Sequence, residues 1–214
     1  MNHWISFAPH VVRTLKKNYP AKGMVDMGDP EDTLLATLMS ARTTDVQVLK
    51  VYPSFRKAFP TLKSLATAKV SDIAKTISSI GLYRSKAKAI KELAIRLLDV
   101  YGGKIPKTME DLTSLAGVGR KTASCVLWYG FGIPAMAVDT HVFRITHRLG
   151  WTKGKTVEVV EQDVMEGVPK RYWGDINRTM VQFGRDVCRP GTPQCWRCPV
   201  AKWCAYQPKT SKPA

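Results

Sequence analysis

The chain is predicted to be all-α, folded as one or two compact helical domains. Apolar residues recur at helical spacing in segment after segment. No stretch alternates apolar and polar residues between hairpin turns as a strand would. Connections are short polar or glycine-containing turns, with no low-complexity linker and no tandem repeat. With 214 residues and 44% hydrophobic content, the chain can bury one large core or two modest ones.

Taken in order, helices are expected over DPEDTLLATLMSA, TDVQVLKVYPSFRKAF and VSDIAKTISSI. The next, YRSKAKAIKELAIRLLDVYGG, sets Ala87, Ile90, Leu93, Ala94, Leu97 and Leu98 on one face, and Gly102 and Gly103 end it as C-cap glycines do. MEDLTSLA and RKTASCVLWYGF follow, then THVFRITHRLG, VEVVEQDVMEGV and GDINRTMVQFGRDVC. Boundaries are expected where Gly and Pro interrupt the pattern at GFGIPAMAV, residues 130 to 138, and near KNYPAKG, residues 17 to 23. The tail QPKTSKPA is expected to be disordered.

Charge narrows the partners. Thirty-three Lys and Arg against seventeen Asp and Glu leave a net +16, with a pI near 9.8. A polyanion, above all nucleic acid, answers such a surface, with simple solubility as the plain alternative. The cations are dispersed through helices with apolar faces, unlike a juxtamembrane block. MNHWISFAPH lacks the parts of a signal peptide, and no run approaches the roughly 20 apolar residues that span a bilayer, so a cytosolic protein with no membrane partner is expected. No helix looks apolar enough on its surface to form a dimer seam, which makes a monomer the expectation.

Four of the five cysteines lie in CRPGTPQCWRCPVAKWC. In a reducing compartment such clustering points to metal ligation over disulfides. Cys188, Cys195, Cys198 and Cys204 contain only one close-set pair, so a single loop around a cubane iron–sulfur cluster fits better than structural zinc. Cys125, isolated within CVLWYGF, is expected to be a small core residue.

In LAGVGRKTA, Gly117 and Gly119 separate a short helix from a longer one. Glycines turn the backbone tightly and leave peptide N–H groups bare for a phosphate, and Arg120 and Lys121 follow at once; a helix-hairpin-helix grip on DNA is therefore favoured over an ordinary glycine turn. Lys121 sits where the helix dipole and Arg120 disfavour its ammonium while DNA phosphates would favour it, so a nucleophilic amine and a plain phosphate contact both stay open. In VDTHVFR, Asp139 is placed to N-cap a helix, and a carboxylate held there can also stabilise a developing cation or activate a nucleophile. His141 is expected to pack or to contact phosphate. In ISSIGLYRSKA, Leu82 and Tyr83 either staple two helices or wedge into a base stack while Arg84 and Lys86 hold flanking phosphates.

The combination of LAGVGRKTA, GFGIPAMAVDTH and C-x6-C-x2-C-x5-C, together with LLATLMSARTTD and IGLYRSKA, resembles the endonuclease III branch of the helix-hairpin-helix, Gly/Pro-rich loop, aspartate superfamily of DNA glycosylases. The similarity runs over nearly the whole chain. It implies a six-helix domain over about 23–133 with the hairpin, a helical domain from 1–22 and 134–214 closed by a 4Fe-4S cluster, and damaged double-stranded DNA in the cleft between them. It further implies Lys121 as amine nucleophile, Asp139 as its carboxylate partner, the four clustered cysteines as cluster ligands, Leu82 as wedge, and Arg189 in RPGTPQ approaching the phosphate backbone. The implied activity is a bifunctional glycosylase and AP lyase of base excision repair, acting on oxidised pyrimidines in a cytoplasmic, nucleoid-associated setting. Two positions depart from the family pattern: Arg42 stands where glutamine is common, on the side opposite the extruded base, and Ser124 replaces a common asparagine. The rival readings are a mismatch-specific monofunctional glycosylase and a non-catalytic iron–sulfur DNA-binding protein.

Overall fold

In a computed structural model of the chain, residues 3–20 and 27–213 are described. Among them there is no β-strand. The chain divides into two compact units, Gly23–Ile133 and Met1–Lys22 with Pro134–Ala214. The boundary expected near residues 17–23 runs into residues 21–26, outside the described residues.

In the first unit, α2 (Pro30–Ser40) starts where Asp29 accepts from the amides of Glu31 and Asp32, with proline in its first turn and both acids beside the positive end of the helix dipole. (Helix α1, Ala8–Asn18, belongs to the other unit.) Thr33 through Met39 are all buried. A helix apolar on every side needs neighbours on every side, and α3 (Asp45–Ala58), α6 (Tyr83–Tyr101) and α8 (Arg120–Cys125) pack around it. Arg56 of α3 lies 3.0 Å from both Glu31 and Asp32, fixing the α2–α3 crossing. The short helices α4 (Leu62–Thr67), α5 (Val70–Thr76) and α7 (Met109–Thr113) complete the unit. That is seven helices among its described residues, against the six the resemblance implies. Phe55, Leu65, Ile73, Ile77, Ile90, Leu93 and Leu97 are fully buried, each stabilising the fold by about 1.5–3 kcal/mol.

Two elements were absent from the sequence expectation. α4 is only six residues long, and its signature is the reciprocal capping box of Thr61 and Ser64. α1 buries Ala8, Val11, Val12 and Leu15 as one stripe. A third difference lies in RKTASCVLWYGF, expected as one α-helix: α8 ends at Cys125 and Val126–Gly130 continues as a π-helical turn.

The second unit gathers α1, α9 (Thr140–Leu149), α10 (Val157–Gly167) and α11 (Trp173–Asp186). Its core holds Leu15, Ile145, Val160, Val164, Ile176, Met180 and Phe183. Short 3-10 turns at Cys195–Arg197 and Ala201–Trp203 carry the cysteine-rich end. Within the tail expected to be disordered, Lys209 and Thr210 are tied back: Lys209 Nζ donates to the Cys204 carbonyl at 2.7 Å, and Thr210 Oγ1 accepts from the Cys195 amide at 3.0 Å. No helix of the described residues is long and apolar enough to cross a membrane.

Candidate functional site

The hairpin of the first unit is set by Leu115 and Val118, 3% and 6% exposed, which anchor the turn between α7 and α8. Gly117 has φ +74°, and a Cβ there would lie 3.0 Å from Ala89 Cβ and 3.2 Å from Leu38 Cδ1. Only glycine suits that backbone and that closeness to α6 and α2. Gly119 then caps α8 with no side-chain hydrogen bond. Arg120 and Lys121 stand exposed in the first helical turn while Ala123, Ser124 and Cys125 bury the opposite face. The structure therefore brings Gly117, Gly119, Arg120 and Lys121 onto one short stretch of surface. Ser124 Oγ is buried without a hydrogen-bond partner.

A second surface of this unit joins two loops. Arg42, between α2 and α3, and Leu82, ahead of α6, are both exposed. The Gly81 amide donates to Thr43 Oγ1 at 3.0 Å, so the loops touch. Arg84 is exposed and lies against Tyr83, its Nε donating to the phenol oxygen at 3.1 Å. Lys86 corrects an expectation: it is 5% exposed, and its ammonium turns inward to the Met39 carbonyl at 2.6 Å and Thr43 Oγ1 at 3.0 Å, leaving it unable to hold a flanking phosphate. Burial lowers its pKa. The sequence carried the signal, since Lys86 lies one turn before Ile90 on the stripe that Leu93 and Leu97 continue.

In the second unit, Asp139 caps α9, its Oδ1 accepting from the amides of His141 and Val142, both at 2.9 Å. Buried Asn177 donates to the Ala137 carbonyl at 3.0 Å and so steadies the backbone leading into the cap. Arg144, one turn into α9, links the cap to the cysteine loop: Nη2 reaches His141 Nδ1 at 3.2 Å, the Cys188 carbonyl at 3.0 Å and the Gly184 carbonyl at 3.2 Å. Burial is the main force lowering the Arg144 pKa. Arg148 extends the same line, donating to the Arg189 carbonyl at 2.7 Å and the Gly191 carbonyl at 3.1 Å, with its guanidinium 5.0 Å from the Tyr206 ring centre. Asp139, His141 and Arg189 are thus connected through Arg144 and Arg148. Neither arginine nor Asn177 was singled out in the sequence, because their partners are distant along the chain.

Cys188, Cys195, Cys198 and Cys204 are all free thiols and line one small apolar pocket with Ile145, Phe183 and Val200. Burial first, then repulsion among the neighbouring thiolates, pushes the Cys198 thiol up to about 11 and raises Cys204. Among the described residues no three His, Cys, Asp or Glu side chains are grouped as a single metal ion needs.

An all-helical chain with a glycine hairpin ahead of an exposed lysine and a helix-capping aspartate defines the helix-hairpin-helix class. The chain belongs to the HhH-GPD superfamily of base excision DNA repair proteins, whose model matches residues 35–170. It is 42% identical to endonuclease III of Thermotoga maritima over 86% of each chain. To endonuclease III of Escherichia coli it is 34% identical over 93% of this chain and 95% of that one. Among solved structures it is similar to a trapped endonuclease III–DNA covalent intermediate, an estranged-adenine complex, with TM-score 0.84 and 36% identity over 94% and 95% of the two chains. A thermostable thymine-DNA glycosylase matches with TM-score 0.83 and 27% identity, over 92% and 95%.

Proposed function

We propose that the chain is a bifunctional DNA glycosylase and AP lyase of base excision repair that removes oxidised pyrimidines from duplex DNA and nicks the strand by β-elimination through a lysine Schiff base. The observation that carries the reading is the exposed Lys121 amine in the first turn of α8, directly behind the glycine hairpin. A base inside the stack is out of reach of any side chain, so the damaged nucleotide is extruded, at lower cost where the lesion already weakens pairing or stacking. The Lys121 amine attacks C1′ of the deoxyribose while the Asp139 carboxylate stabilises positive charge on the sugar, and the base departs with the bonding pair. Loss of a proton from nitrogen and ring opening leave an iminium. It acidifies the C2′ proton, whose removal expels the 3′ phosphate and nicks the strand.

DNA contacts divide by type. Gly117, Gly119 and Arg120 grip phosphate at the hairpin, and Arg84 supports the strand beside the wedge Leu82. Arg42 faces the side opposite the extruded base. His141 and Arg189 meet phosphate from the second unit. A monomer acting on chromosomal DNA in the cytoplasm fits these roles.

The four thiols fit a 4Fe-4S cluster better than one zinc ion: they are free, line one small apolar pocket and contain only one close-set pair, Cys195 and Cys198. Cys188, Cys195, Cys198 and Cys204 would be the ligands. When bound, the cluster supplies a covalent cross-link through four thiolates that closes residues 188–204. Arg148 holds the carbonyls of Arg189 and Gly191 within that loop.

Duplex DNA containing thymine glycol, incubated with the protein and borohydride, tests the reading. The expected result is a covalent complex with wild type that is lost in Lys121→Gln, and strand nicking when borohydride is omitted. Binding without trap or nick supports the non-catalytic rival. Release of thymine from a G·T mismatch without nicking supports the monofunctional one.

A further inference from the structure

Two non-glycine residues among those described adopt left-handed backbone: Arg42, with φ 53°, and Leu82, with φ 58°. Neither side chain eases that conformation, and such strain persists only where the surroundings over-determine it. Both residues are exposed, and they stand on two loops far apart in sequence.

What over-determines them is a small hydrogen-bonded junction with the buried Lys86 ammonium at its base. Gly81 lies so close to the Arg42 carbonyl that a Cβ on it would sit 2.8 Å from that oxygen. The Gly81 amide and the Lys86 ammonium both donate to Thr43 Oγ1 at 3.0 Å, which occupies both lone pairs of the hydroxyl. Lys86 also donates to the Met39 carbonyl at 2.6 Å, near the end of α2. Gln47 Nε2 donates to Ser79 Oγ at 3.0 Å and adds an outer link between the same two regions. The chain therefore buries an ammonium, a costly group to desolvate, at the point where the Arg42 loop meets the Leu82 loop.

We propose that Lys86 is a positioning residue for base extrusion: through Thr43 it locks the two loops into one rigid, two-pronged piece, so that Leu82 enters the base stack and Arg42 meets the side opposite the extruded base in fixed register. The inference rests on the proposed function. Lys86 touches neither substrate nor reacting atoms; it acts through the loops. Without it each loop relaxes towards ordinary backbone angles and the prongs lose their common spacing. Displacing a positioned group by about 1 Å can lower a rate on the order of 10²-fold.

The test compares two substrates under single-turnover conditions: duplex DNA with thymine glycol, where a base must leave the stack, and duplex DNA with a preformed abasic site, where none does. Lys86→Met and Thr43→Val are each expected to lower excision by roughly 10- to 100-fold while nicking at the abasic site changes by less than about threefold. Thr43→Ser, which keeps the hydroxyl, is expected to retain the wild-type ratio. In a Leu82→Ala background, Lys86→Met is expected to add little further loss, because both changes disable the same device. A merely structural role predicts equal losses on both substrates and losses that multiply with Leu82→Ala; either result overturns the proposal. Should Lys86→Met fail to fold by circular dichroism, the Thr43→Val and Thr43→Ser pair decides alone. Wild type inactive on both substrates removes the proposed function itself, whereas active wild type with an unchanged ratio in the variants removes only the positioning role.

Discussion

Asp139 can be read as a helix cap or as a reacting carboxylate, and two substitutions separate the readings. Its Oδ1 accepts two amide hydrogens of α9 at 2.9 Å. Asp139→Ala removes both bonds and the charge beside the helix dipole, at a cost of about 0.5–2 kcal/mol. Asp139→Asn keeps a carbonyl oxygen able to cap, because asparagine and aspartate are nearly equal N-caps, and loses only the charge–dipole attraction, roughly 0.3–1 kcal/mol. In a chain of this size each kcal/mol shifts the melting temperature by roughly 2–4 °C. Asparagine should therefore melt within a few degrees of wild type and alanine lower. Activity follows a different order: both variants lack the carboxylate that stabilises the developing cation, so single-turnover excision of thymine glycol should fall on the order of 10²- to 10³-fold in each. Thermal denaturation and gel-resolved excision on the same preparations make the comparison. Near-wild-type excision by Asp139→Asn would refute the reacting role and leave Asp139 a cap.

Three further outcomes are expected. Gly117→Ala forces a side chain into left-handed backbone 3.0 Å from Ala89 Cβ; it should cost about 1–3 kcal/mol in urea unfolding and weaken binding to undamaged duplex DNA. Lys86 has a depressed pKa in the folded chain; the folded state therefore binds fewer protons than the unfolded state as pH rises towards the ordinary lysine value. Wild type should gain stability relative to Lys86→Met between the depressed folded value and 10.5, and lose it again as pH falls, as urea unfolding at pH 7 and pH 10 would show. Anaerobically purified protein should contain about four iron atoms and absorb broadly near roughly 400 nm. Cys198→Ser should lose iron, whereas stoichiometric zinc in wild type would contradict the cluster assignment.

The sequence made much of this molecule legible because its signals were local. Asp29, Pro30, Glu31 and Asp32 announce the start of α2, and Gly117 and Gly119 announce the hairpin. The four cysteines are gathered by their spacing alone. What escaped had other physics. α4 is too short for periodicity to register, and the π turn at Val126–Gly130 packs against α2, nearly a hundred residues earlier, with Gly130 close to Pro30. Lys86 was read by its charge, although its place on the Ile90 stripe predicts burial. Arg144 and Asn177 act through carbonyls of Cys188 and Ala137, more than thirty residues away, contacts that no local pattern encodes.

The amine at position 121 is the centre of the account, and the chemical identity of its adduct is the most direct check. Protein reacted with thymine-glycol duplex under borohydride, digested with nuclease and protease, should yield one modified peptide, with the reduced sugar remnant on Lys121 by mass spectrometry. A remnant on another residue, or nicked DNA with no protein adduct at all, would contradict it.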